Sequence, residues 1–413
     1  MSSLVAAATG VVFWFIAARL LTPEQLGVQT ALLAIVTGPA LVIAAGVGDA
    51  LNAMVPAQPL AAPFLVRTGY RWALFLGLPV GIVAATCAVT LLPSVRGSVV
   101  VAGGVALATL VWTFFAVQDS VLTSLGRARW LPVENGVTGL VKLAVLPLVT
   151  ASVISVIIAS ALPAAAAVLI LVPIVRRLAS RPPPAIGSVS DGAVATSPAL
   201  AEEPSPVISG RFRRLMLRTT AFVALTVGAF TLLPFVVTSV GGARQGAVFS
   251  LSASMTSVLD FVTAGVGVSL VVHASANRAR QWELMKAALL PTVPTVLCGA
   301  IVLMLGSHEI FRVMNPRYLQ LHAVKVVVIL ACAAVLRTVF LIWSALQQSR
   351  QQLTFALWLS GIGAAAAYLA IIALVPEHGA VAAAWVVLIV QVFLSGGALG
   401  HMLRSRQSRA SMR

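Results

Sequence analysis

Twelve apolar blocks, each long enough to cross a bilayer, follow one another through this sequence. They lie near 3–21, 27–55, 70–93, 98–122, 132–150 and 154–175, then near 215–239, 246–273, 285–306, 320–345, 352–374 and 379–402. Crossing about 30 Å of hydrocarbon takes roughly 20 helical residues. Hydrophobic residues make up 60% of the chain and charged residues 9%, too few polar side chains to cover a water-facing exterior. An unpaired backbone group in hydrocarbon costs several kcal/mol, and the alternating pattern of a barrel strand does not occur here, so the spanning element is the helix. The expected fold is an all-α membrane protein of about twelve transmembrane helices.

The net charge of +16 does not point to nucleic acid once its distribution is read. Most lysines and arginines fall in the connections after even-numbered spans and in the tail, among them Arg67, Arg71, Arg127, Arg129, Arg177, Arg211, Arg213, Arg214, Arg218, Arg280, Arg350 and Arg404. The positive-inside rule then places both termini in the cytoplasm, in a cytoplasmic (inner) membrane. Anionic headgroups attract such residues by about 1 kcal/mol each. Met1-Ser2-Ser3 runs straight into apolar residues without a basic leader, so the first span reads as retained. Cys87, Cys298 and Cys332 lie far apart inside spans, without metal-ligand spacing, and read as packing residues.

Only residues 176–212 change composition, with Pro182, Pro183 and Pro184 followed by small polar residues, Glu202 and Glu203. They read as a flexible cytoplasmic linker between a six-helix lobe at 1–175 and a second at 213–403, with a basic tail at 404–413. An internal repeat supports the division. A shift of 219 residues lays 25–57 on 244–276, with Gly27 on Gly246 and Ala45-Gly46-Val47-Gly48 on the identical Ala264-Gly265-Val266-Gly267. A shift of 221 lays 124–129 on 345–350. An even number of spans per half gives the repeats one orientation, an architecture of secondary transporters in which the substrate path runs between the halves. Glycine runs such as 77–81 and 396–400 read as close-packing motifs, and Pro39, Pro79, Pro147, Pro234, Pro291 and Pro294 as bends, some of them hinges.

Charges inside spans cost at least about 2.5 kcal/mol on insertion scales and are functional candidates for that reason. Asp49, Asp119, Glu134, Lys142, Asp260 and Arg337 are the six here. Lys142 and Asp260 fall near the midplane, one in each half, and can pair across a central cleft. Asp49, Asp119 and Arg337 fall in the cytoplasmic third, where snorkelling or local water can satisfy them, and Glu134 reads as interfacial. Lys142 and Arg337 can meet a phosphate. Asp49 or Asp260 can equally serve proton or sodium coupling.

Catalysis is not expected, and neither is a cofactor. The sequence shows no Ser/His/Asp arrangement, phosphate-cradling glycine loop or metal cluster, and His273, His308, His322, His378 and His401 lie at span ends, in loops or in the tail. The odd-numbered connections are short, the longest holding only Glu309, Arg312 and Arg317.

The first hairpin, Arg19-Leu20-Leu21-Thr22-Pro23-Glu24-Gln25-Leu26-Gly27 with Gly46-Val47-Gly48-Asp49-Ala50-Leu51, resembles the opening of polysaccharide flippases in the multidrug, oligosaccharidyl-lipid and polysaccharide exporter superfamily. Leu122-Thr123-Ser124-Leu125-Gly126-Arg127 is similar to a second feature of that group. The resemblance implies two lobes and movement of a polyprenyl-diphosphate-linked oligosaccharide between leaflets by alternating access. It also implies glycosyltransferases or a polysaccharide polymerase as partners, beside membrane lipids and an H+ or Na+ ion. The usual basic N-terminus is missing, and lipid II flippases carry fourteen spans. Two rival readings stand: a cation-coupled drug exporter of the same superfamily, and a major-facilitator transporter, whose usual acidic and basic loop after span two is replaced here by 56–71 without an acidic residue.

Overall fold

The computed structural model describes residues 2–180, 205–276, 280–350 and 352–410. Most of the linker expected at 176–212 and the end of the tail expected at 404–413 lie outside the described residues. The first half holds α1 (Ser2–Leu20), α2 (Pro23–Met54), α3 (Ala62–Leu91), α4 (Val99–Ser124), α5 (Leu131–Leu148) and α6 (Ser155–Ala179). In the second half α7 (Ser205–Val223) passes through a π turn at Ala224–Gly228 into α8 (Ala229–Thr231), and a 41° bend leads to α9 (Leu233–Gly241). Then come α10 (Ala243–Ala276), α11 (Gln281–Met314), α12 (Arg317–Gln320), α13 (Ala323–Ser349) and α14 (Thr354–Ala410). No strand occurs among the described residues.

Each apolar block of the sequence falls on one of these helices, and the chain is a multi-pass membrane protein. A straight α14 would be about 85 Å long, far beyond the hydrocarbon core. It folds back instead. Gly379 sits at φ 67° and ψ −157°, a conformation that a Cβ disfavours. Gly363 then faces Leu394, 3.0 Å from where its Cβ would be, and Gly397 faces Leu359 at 2.8 Å. Those pairings run antiparallel about Gly379, so α14 is a hairpin of two spans.

Local sequence explains where the helices begin. Thr22 Oγ1 accepts from Gln25 N at 3.3 Å while Gln25 Oε1 accepts from Thr22 N at 3.0 Å, a capping box with Pro23 at the first helical position. The Leu-Leu-Thr-Pro-Glu-Gln stretch is thus the start signal of α2. Ser98 caps α4 in the same manner through Val101 N. Inside spans the threonine hydroxyls of Thr37, Thr86, Thr109 and Thr113 donate to carbonyls one turn back, which spares the bilayer an unpaired donor.

The internal repeat has a structural counterpart. Gln29 of α2 donates to the carbonyls of Ser152 (3.2 Å) and Val153 (2.7 Å) and accepts from Val156 N, fixing the turn between the fifth and sixth spans. Gln245 of α10 accepts from Ala380 N at 2.9 Å, fixing the corresponding turn in α14. The second span of each half therefore pins the last hairpin of that half. Packing also crosses the halves: Ile208, Phe212 and Met216, the buried stripe at the start of α7, lie in one core with Leu51, Val66, Val121 and Val175.

Candidate functional site: intramembrane charges and the seal at one end

The connections after odd-numbered spans gather at one end of the molecule, here called the far end, and those after even-numbered spans at the other, the basic end. At the far end α2 and α10 touch so closely that a Cβ on Gly27 would land on the carbonyl of Ala243, and α9 closes on α10 where a Cβ on Gly246 would land on the hydroxyl of Thr238. Glu24 and Arg244, at the starts of these two helices, form an ion pair. The Arg19 guanidinium donates twice to the carbonyl of Val313, at 3.1 and 2.8 Å. Tyr318 is fully buried here, and burial, with the Glu24 carboxylate as a lesser cause, pushes its hydroxyl above the usual phenol range. The far end is sealed by contacts between the halves. Further down, α2 is pressed against α7 where Gly46 meets Thr220 and the carbonyl of Met216. At the equivalent place on α10, Gly265 has nothing within 4 Å.

At mid-membrane the two cations have different surroundings. Arg337 of α13 donates from Nη1 to Asp260 Oδ2 of α10 at 2.7 Å, and both side chains retain about a quarter of their exposure. Thr263, three residues beyond Asp260, and Thr338, next to Arg337, hydrogen-bond at 3.2 Å, which fixes this register. Lys142 of α5 stands with its ammonium 3.8 Å from the ring centroid of Phe13 on α1. Among the described residues no carboxylate lies within ion-pair distance of it.

The expected pair of Lys142 with Asp260 is therefore not formed. Asp260 finds Arg337 on the adjacent helix of its own half, and Lys142 turns to α1, the helix that packs on α5. Arg337 stands at mid-helix in α13, beside Asp260. Glu134 sits in the first turn of α5, at the end of its span, and is packed against α4 with 8% exposure.

Glu134 belongs to a polar group between α4 and α5 that single-residue reading missed. Gln118 Nε2 donates to Glu134 Oε1 at 2.7 Å, and the neighbouring residues mirror this, Asn135 donating to the Asp119 carboxylate. Gln118 Oε1, Asp119 Oδ1 and Glu134 Oε2 remain buried without a donor. A carboxyl becomes a donor only when protonated, so a proton on Asp119 or Glu134 would supply a donor in this group. Asp49 lies half-buried nearby on α2, one residue beyond Gly48, which packs on Ser120 of α4. The pairing of 118–119 with 134–135 was available in the sequence only as two polar dipeptides near the ends of adjacent spans.

No protein-family model and no curated protein matches the sequence. Solved structures do. A multidrug resistance MATE family transporter of the MOP superfamily in its inward-facing conformation superposes with a TM-score of 0.69 at 15% identity, over 100% of this chain and 95% of that one. The lipid II flippase MurJ in an inward closed conformation gives 0.72 at 10% identity, over 97% and 86%. An outward-facing MATE family transporter gives 0.61 at 15% identity, over 98% and 92%. The chain has the MOP superfamily fold. That fold has about twelve helices in two lobes, and it replaces the major-facilitator arrangement as the architecture.

Proposed function

We propose that this protein flips a polyprenyl-diphosphate-linked oligosaccharide, or a related glycolipid, from the inner to the outer leaflet of the cytoplasmic membrane by alternating access. On this reading the basic end, with both termini, faces the cytoplasm and the closed far end faces the outside. The observation that carries the reading is Lys142, an ammonium in the middle of α5 that meets an aromatic ring and, among the described residues, no carboxylate. An intramembrane charge without a counter-ion is costly, and an anionic group of the cargo would satisfy it. Opening at the basic end beside Gly265 and closure of α2 on α7 at Gly46 would admit a cargo laterally on one side, with its lipid tail left in the bilayer. Asp49, Asp119 and Glu134 would take the coupling ion, H+ or Na+. Glycosyltransferases would supply the cargo and a polymerase would consume it.

A second reading, a cation-coupled exporter of drugs or other small molecules, draws on the acceptor-rich group at Gln118, Asp119 and Glu134 and on the MATE structures that share the fold. Reconstituted protein separates the two. A carrier of lipid diphosphates speeds leaflet exchange of a labelled polyprenyl-diphosphate oligosaccharide and loses that ability in Lys142→Met. A drug exporter moves organic cations, tolerates Lys142→Met and fails in Asp119→Asn.

A further inference from the structure

The two cations at mid-membrane differ in how their charge is held. Arg337 is engaged by the carboxylate of Asp260 at 2.7 Å, so the pair is neutral overall, and an anion approaching it must compete with a carboxylate already in place. Lys142 is held by the π face of Phe13 at 3.8 Å. A ring attracts a cation through its quadrupole, by about 0.5–2 kcal/mol depending on desolvation, but it carries no net charge. Among the described residues the Phe13–Lys142 contact therefore has no carboxylate to offset the ammonium.

The local geometry is built to bring these two residues together. Phe13 is completely buried, with its ring edge-to-face on Trp14 at 5.3 Å and 75°. One helical turn before Phe13, Thr9 lies against Gly139 of α5, 2.8 Å from the place a Cβ would occupy. α1 and α5 run in the same direction, both from the basic end. The step from Thr9 to Phe13 on one and from Gly139 to Lys142 on the other thus raises both side chains to one level. A side chain at 139 would hold the helices apart and lift the ammonium off the ring.

We propose that Phe13 is a positioning residue for anionic cargo: its ring holds the Lys142 ammonium at mid-membrane with its charge unspent, so that a phosphate or diphosphate group binds on the ammonium's free side. This rests on the carrier reading above and deepens it, because it assigns anion selectivity to the first half and a neutral, structural pair to the second.

The test uses the full-length protein in detergent, with farnesyl diphosphate as probe and farnesol as neutral control. Phenylalanine at position 13 is replaced by its 4-fluoro, 3,5-difluoro and 3,4,5-trifluoro forms, which keep the ring's shape and progressively drain its π face. The expected result is graded weakening of farnesyl diphosphate binding, several-fold at the trifluoro form, with farnesol binding constant. In a Lys142→Met background the gradient disappears. Phe13→Tyr should bind as the wild type does, and Phe13→Leu should resemble Lys142→Met. Binding that stays flat or strengthens across the fluorinated series, while Lys142→Met still abolishes it, overturns the role of Phe13 and leaves the carrier reading standing. Unchanged diphosphate binding in Lys142→Met removes the anion site itself, and with it both.

Discussion

Arg337 and Asp260 lie on adjacent helices of one half and meet at mid-membrane with 2.7 Å between Nη1 and Oδ2. Their partner helices α10 and α13 carry the Thr263–Thr338 bond beside them, so the ion pair and the hydroxyl pair act together to fix one helix against the other. Removing one charge strands the second. Breaking a buried pair costs about 3–5 kcal/mol in protein interiors, and the residual exposure of both side chains places this one near the lower end, about 3 kcal/mol. Asp260→Asn and Arg337→Gln should each lower the melting temperature in detergent, while the double Asp260→Leu/Arg337→Leu variant should recover most of the loss. Melting of the double variant at or below both single ones would show that the pair does not act as a neutral structural unit.

Gly27 and Gly265 offer a paired test of the packing. A Cβ at 27 has no room against Ala243, whereas one at 265 meets nothing within 4 Å. Gly27→Ala should separate α2 from α10 at the far end, destabilise the sealed state and raise the reactivity of cysteines placed below it. Gly265→Ala should leave transport intact and gain about 0.5–1 kcal/mol from replacing glycine inside a helix. Equal effects of the two substitutions on far-end accessibility would contradict the close approach at Gly27.

The seal at the far end can be locked. Glu24 and Arg244 are paired in this state and must part if the halves open outward. In a background without Cys87, Cys298 and Cys332, Glu24→Cys combined with Arg244→Cys should form a disulfide under mild oxidation, stop transport and regain it on reduction. Full activity of the oxidised double variant would show that this end never opens.

The amide–carboxylate group between α4 and α5 predicts an ordering of substitutions. Gln118→Leu takes away the donor to Glu134, a buried hydrogen bond to a charged group worth about 1.5–3 kcal/mol, and should destabilise the protein by that amount. Glu134→Gln brings its own donor to the orphaned oxygens and should melt at least as high as the wild type. If Glu134→Gln proves the more damaging of the two in a thermal-melt series, the oxygens at 118, 119 and 134 are satisfied in some other way.

Element placement was legible in the sequence because the apolar blocks are long, and the bilayer's thickness dictates their length. The Thr22–Gln25 capping box emerged only in the structure, where the residues that carry the resemblance prove to be a helix start. The Gly379 reversal was legible only as a boundary near 379, because a single glycine among apolar residues shows no sign of its positive φ. The charged residues were found as costly groups, but their partners were not. Which of two deep carboxylates or rings meets a deep cation depends on the rotation of each helix about its own axis, and sequence spacing fixes that only within one helix. Lys142 thus turned to Phe13 and Asp260 to Arg337, and Glu134, at the end of its span, found Gln118. Gln118 and Asn135 carried no charge to flag them.

The account stands most directly on leaflet exchange of a lipid-linked diphosphate sugar. A fluorescently labelled polyprenyl-diphosphate oligosaccharide is placed in both leaflets of proteoliposomes, and the fraction reachable by a membrane-impermeant quencher is followed in time. Wild-type protein should carry nearly all of the label within reach of the quencher, whereas Lys142→Met and the oxidised 24–244 double-cysteine variant should leave it near the half exposed in protein-free vesicles. Wild-type vesicles that remain at that half, or a Lys142→Met variant as fast as the wild type, would contradict it.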